Sequence, residues 1–176
     1  MEPVVRNTEY TFENVWKSIL KTEKVINKMG DKVDKLSDLY NGFAKNTGEA
    51  VEQFFFDYFE RHLKMGDVVF EKAKLNMGTM DCEYDIVLSN GKYVGIVECK
   101  HKFHYKDLEK FVSESLPKFK TEFPKYHNCK IVAGIATYVL VEDVKQLALE
   151  HGLYIYTQHA EKVKLQNSKS FKVKYY

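Results

Sequence analysis

The sequence predicts a mixed α/β domain, a central sheet with helices on both faces, behind an N-terminal helical extension. Three observations point there. Residues 12–43 carry apolar side chains at a seven-residue repeat, residues 46–64 carry a second helical stripe, and from Asp67 onward β-forming runs alternate with helical ones. At 176 residues the chain suits one domain with an extension, divided as 1–40 and 41–176.

In the extension, Phe12, Ile19, Ile26, Val33 and Tyr40 occupy one heptad position, and Val15, Thr22, Met29, Leu36 and Phe43 follow three residues after each. Both sets fall on one helix face and form a seam suited to a partner helix, so a coiled coil and a homodimer through this helix are expected. Gly30-Asp31 interrupts the seam, leaving either one long helix or two that fold back on each other.

Across 46–64, Val51, Phe54, Phe55, Tyr58 and Phe59 follow i, i+3, i+4, i+7, i+8 and predict a buried face. Glu52 lies at the margin of that stripe, where a long stem can cross the rim and reach water. Val68 to Met77 reads as a first strand ended by Gly78. Tyr84 to Leu88 and Tyr93 to Lys100 follow, joined by Asn90-Gly91, a strong hairpin signal. A helix over 106–123 should be kinked or divided at Pro117, which lacks a backbone donor. Lys130 to Ala136 is nearly all apolar, as in a central strand covered on both faces. Glu142 to Glu150 reads as a helix stopped by Gly152, Leu153 to Tyr156 as a strand, and residues 168–176 as a loosely held tail.

Composition narrows the function classes. Hydrophobic residues make up 44% and the formal net charge is +2, which argues for a folded chain and forces no polyanionic partner. The longest nearly apolar run, 132–141, is half the roughly 20 residues needed to cross a bilayer, so no membrane partner is expected. Residues 1–6 show no secretory pattern. Cys82, Cys99 and Cys129 form neither a disulfide framework nor a zinc motif, so the expected setting is cytoplasmic.

The hairpin carries the candidate chemistry. With Asn90-Gly91 central to the turn, Ser89 pairs with Lys92, Asp85 with Ile96, and Glu83 with Glu98. Alternation then puts Asp85, Glu98 and Lys100 on one face, Asp85 and Glu98 as diagonal neighbours roughly 7–8 Å apart between backbones. Concentrated like charge is unfavourable unless a cation compensates it, and oxygen-only ligands suit Mg²⁺. The plainer reading is a solvated strand face. Against it, Glu98-Cys99-Lys100 ends an otherwise apolar strand and is the chain's one Glu-x-Lys triplet.

At these residues the chain resembles the PD-(D/E)XK nuclease superfamily, the restriction-endonuclease-like fold. Asp85, twelve intervening residues and Glu98-x-Lys100 at a strand end match its core signature, and Gly48-x-x-x-Glu52 is similar to the helix that brings a further carboxylate in many members. The likeness runs from about Asn41 to Leu165, and the layout is similar to a group of small bacterial members with an N-terminal coiled-coil extension. Tyr84 stands where the signature has proline, and Pro117 departs from the continuous helix of relatives, which bears on the orientation of Lys118 and Lys120.

The resemblance implies a three-layer α/β/α core with a mixed central sheet. It also implies a Mg²⁺-dependent nuclease, with Mn²⁺ as substitute, that hydrolyses phosphodiester bonds of nucleic acid, DNA first, by attack of a metal-bound water. Asp85 and Glu98 would hold the metal with the backbone carbonyl of Cys99, Glu52 would complete the site, and Lys100 would orient or activate the water. Glu49 is a weaker candidate one turn earlier. Between Lys100 and Lys130 eight lysines face four acids, making Lys106, Lys110, Lys118 and Lys120 candidates for phosphate contact or simply a solvated helix surface. The rival reading is a non-enzymatic nucleic-acid-binding or coiled-coil interaction module that retains the fold.

Overall fold

The structure, a computed structural model, describes residues 11–176; the residues read for a secretory pattern lie outside these. The chain divides into two units, Met1–Lys45 and Asn46–Tyr176. Helix α1 runs Phe12–His62 and belongs to both.

Within the first unit α1 continues through Gly30-Asp31, which excludes the folded-back pair of helices. Gly30 has no positive φ. A glycine inside a helix costs about 1 kcal/mol relative to alanine, which weakens a helix without ending it. Every residue from Phe12 to Lys45 is exposed.

In the second unit the helix expected over 46–64 is the end of α1, stopping at His62 where Leu63 adopts φ 45°. Its buried residues are Val51, Phe55 and Phe59. The single strand expected from Val68 to Met77 is instead broken. Strands β1 (Lys64–Met65) and β2 (Val68–Val69) form a small hairpin around Gly66, and β3 (Lys72–Gly78) starts afresh. Gly66 has φ 57°, and a Cβ there would collide with the Tyr154 hydroxyl, so glycine is required and the chain must turn.

The main sheet has the order β3-β4-β5-β6-β7-β8, with β4 (Glu83–Ser89), β5 (Tyr93–Lys102), β6 (Lys130–Val139), β7 (Tyr154–His159) and β8 (Lys162–Leu165). β5, β6 and β7 are parallel and the remaining neighbours antiparallel, the mixed sheet that the order of elements predicts. Residues Ile131 to Thr137 of β6 are buried without a break, as a strand covered on both faces requires. One layer packs Val51, Phe55 and Phe59 on Ile86, Leu88, Val97 and Val132. The other packs α2 (Tyr105–Lys110), α3 (Leu116–Glu122) and α4 (Glu142–Glu150) on Val87, Val94, Ile96 and Ile135.

The helix expected over 106–123 is divided, as Pro117 demands. A π-helical turn at Phe111–Ser115 separates α2 from α3, and the Ser115 carbonyl accepts from the Tyr84 hydroxyl at 2.7 Å. At the C-terminus one strand is new and one expectation fails. β8 has no counterpart in the sequence reading, and the segment read as a loose tail is tied down: Tyr176 and Ile131 exchange backbone hydrogen bonds of 3.0 Å, and the Tyr176 hydroxyl donates to the His151 carbonyl at 2.8 Å. Alternating lysines hid β8, and terminal tyrosines bury apolar area that a tail of lysines would not. Among the described residues, no helix is long and apolar enough to cross a membrane.

Candidate active site

The β4–β5 turn sets the site. Asn90 does not adopt the positive φ of a two-residue turn; its Oδ1 accepts from the backbone of Lys92 at 3.0 Å and Tyr93 at 2.7 Å, while Gly91 takes φ 81°. The loop therefore lengthens, and Ser89 pairs with Val94 and Ile86 with Val97. The expected pairs of Ser89 with Lys92, Asp85 with Ile96 and Glu83 with Glu98 are thus displaced by two residues. A displacement of two preserves the face of each strand, and the registered pairs end at Ile86 with Val97, one residue short of Asp85 and Glu98.

At the far end of β4 the sheet changes facing. Leu75 pairs with Ile86 and Met77 with Tyr84, while Asn76, between them, has φ 49°. Leu75 and Ile86 pack in the α1 layer; Met77 and Tyr84, only two residues away on each strand, pack in the opposite layer. A regular strand returns to the same face every two residues, so the left-handed residue has reversed the alternation. Asp85 lies at the reversal, and its Oδ2 accepts from the Cys99 backbone N–H at 2.6 Å.

Around Asp85 stand Glu98, Lys100 and Glu52. Burial and then the Glu98 charge push the Asp85 carboxyl up to about 7, against the pull of the Cys99 N–H and Lys100. Lys100 Nζ is 3.0 Å from Glu98 Oε1. Burial works to lower the Lys100 pKa, but Glu98, with Asp85 and Asp107 beyond, outweighs it and the ammonium is held charged. Burial raises the Glu52 pKa, the Asn76 side-chain amide pulls it down, and the Glu83 charge raises it again. The Cys99 thiol is buried and pushed up well above its ordinary range, which makes it inert; its backbone is the part facing the site.

Asn76 is the residue that the sequence reading missed. An asparagine amid alternating residues that otherwise read as one strand is a signal for a left-handed kink.

Glu98 and Lys100 open onto a groove of about 360 Å³ that is also lined by Asp81, Glu83, Asp107, Glu114, Lys110 and Lys118. Of the four lysines singled out from the sequence, Lys110 and Lys118 line it. Lys106 is exposed on α2 and lines no part of the groove, and Lys120 points to the Tyr176 carbonyl at 3.5 Å. Five acids against three lysines make the groove net acidic, so a polyanion entering it needs positive charge from elsewhere.

Among the described residues no group of three or more His, Cys, Asp or Glu side chains stands in an arrangement that could hold a metal. The donor chemistry nevertheless fits a hard divalent cation: the donors are carboxylate oxygens, and burial and mutual repulsion penalise them in the absence of positive charge. One Asp85 oxygen is engaged by Cys99 and Glu98 by Lys100, so Lys100 stands in for part of that charge. No protein-family model, curated protein or solved structure matches the chain.

Proposed function

We propose that the Asn46–Tyr176 unit is a metal-dependent nuclease with a restriction-endonuclease-like fold, hydrolysing phosphodiester bonds of nucleic acid, DNA first. The observation that carries the reading is the placement of Asp85, hydrogen-bonded to Cys99 at 2.6 Å where β4 parts from the regular sheet, beside the 3.0 Å pair of Glu98 and Lys100. Helix α1 supplies Glu52 to the same electrostatic cluster.

Mg²⁺ or Mn²⁺ held by Asp85, Glu98 and the Cys99 carbonyl, with Glu52 beside them, would neutralise the carboxylates and polarise a phosphoryl oxygen. Lys100, charged and released from Glu98, orients the attacking water and stabilises the charge that develops on the phosphate. Lys110 and Lys118, on the wall of the groove, bind neighbouring phosphates of the strand. The Cys99 thiol takes no part.

The test is incubation of the full chain with single- and double-stranded DNA and RNA, with Mg²⁺, Mn²⁺ or EDTA, beside Lys100→Ala and Asp85→Asn. The reading expects cleavage with either ion, none with EDTA and none from the variants. Cleavage that survives in both variants would remove it. A second reading, an interaction module working through its helix, is favoured by the exposed stripe of α1. Removing residues 1–40 separates the two, because a nuclease core keeps metal-dependent cleavage and an adaptor loses its binding.

A further inference from the structure

Among the described residues, those that α1 buries are Val51, Phe55 and Phe59, all in the second unit. Yet Ile19, Ile26, Met29, Val33, Leu36 and Tyr40, all on the heptad seam, are 50–71% exposed. A lone helix with two glycines, Gly30 and Gly42, and several β-branched residues is poorly stable in water, since most helical stability in proteins comes from packing an apolar face. The stripe is too long and too regular for scattered surface apolar residues.

We propose that this face is covered by the same face of a second copy of the chain, as a two-stranded coiled coil over residues 12–43. Two features select a copy of itself as the occupant. One is area. The nine apolar residues of the seam, flanked by Trp16, Val25 and Leu39, supply apolar surface on the scale of the roughly 800 Å² per partner of a standard interface, and the seam spans more than the three to four heptads that sustain a coiled coil.

The other is charge. At the positions flanking the seam only Glu23 and Lys32 are charged, one of each sign; Lys17, Lys21, Lys24, Lys28 and Lys35 lie on the outer side. In a parallel pair Ser18 meets Glu23 and Lys32 meets Ser37. In an antiparallel pair centred between Ile26 and Met29, Glu23 meets Gly30 and Lys32 meets Val25. Neither direction opposes like charges, so the seam is compatible with itself, whereas a seam built for an acidic or basic partner would carry one sign.

The experiment is sedimentation equilibrium of the full chain from 1 to several hundred micromolar, alongside Ile26→Asp/Leu36→Asp on the seam and Lys24→Asp/Lys28→Asp on the outer side. The expected result is a dimer for the wild type and the outer-side variant. The seam variant should have a dissociation constant raised by about a hundredfold or more, because aspartates would be buried at the interface. Circular dichroism melting of the second unit should be unchanged, which separates loss of association from loss of folding. A wild type monomeric throughout, a trimer or tetramer, or a dimer that survives the seam substitutions would each overturn the proposal. None of these outcomes depends on whether the chain cleaves nucleic acid.

Discussion

The Cys99 backbone N–H donates to Asp85 Oδ2 at 2.6 Å, joining β5 to β4 through a side chain just beyond their last registered pair, Ile86 and Val97. An amide in place of that carboxylate accepts the same hydrogen bond without the charge. Asp85→Asn should therefore melt at or above the wild-type temperature at pH 7.5, while metal-dependent cleavage falls by about 10²–10³-fold or more, the scale for loss of one key electrostatic group. Calorimetric melting and a single-turnover cleavage assay check both halves.

Stability should depend on pH through the same carboxyl. The folded state holds the Asp85 pKa near 7 against 3.8 for the free side chain, so the folded protein binds the proton more tightly than the unfolded chain does. Its contribution is full below about 3.8 and is lost as pH rises through about 7, and Glu52, raised in the same direction, adds to the trend. Melting temperatures between pH 4 and 8 should fall on the alkaline side without metal and recover when Mg²⁺ is added. A flat profile that Asp85→Asn leaves unchanged would contradict this account.

Lys100 both neutralises the carboxylates and competes for Glu98. Lys100→Ala should bind Mn²⁺ at least as tightly as the wild type in titration calorimetry at pH 8, while cleavage drops by about 10²-fold or more. Loss of binding together with loss of cleavage would mean that the ammonium serves only to hold the site together.

Asn76 separates backbone from side chain. Alanine at φ 49° should cost about 1–2 kcal/mol, read as a lower urea midpoint at constant slope. Glycine accepts that backbone but removes the Asn76 amide that favours the charged Glu52 carboxylate, so Asn76→Gly should keep near-wild-type stability and bind Mn²⁺ more weakly. Equal binding by Asn76→Gly and wild type would leave the residue a purely conformational role.

Much of this arrangement is legible in the sequence because it depends on period and burial. The apolar run of β6, the helix Glu142–Glu150 and the common face of Glu98 and Lys100 follow from alternation and composition alone. Details set by a single side chain or backbone angle do not. Asn90 uses its carbonyl to widen the turn and shift the register by two residues, Gly66 cuts an expected strand because Tyr154 occupies the space beside it, and Asn76 reverses the facing of two strands. Composition alone does not distinguish Lys110 and Lys118 on the groove from Lys120 turned to the C-terminus.

The reversal at Asn76 places Asp85 between two cores and inside neither. Tyr84 serves one, Ile86 the other, and substitution of either neighbour should be felt as unfolding. The carboxylate between them is owned by no hydrophobic layer, so variation there can be selected for chemistry with little cost to foldability.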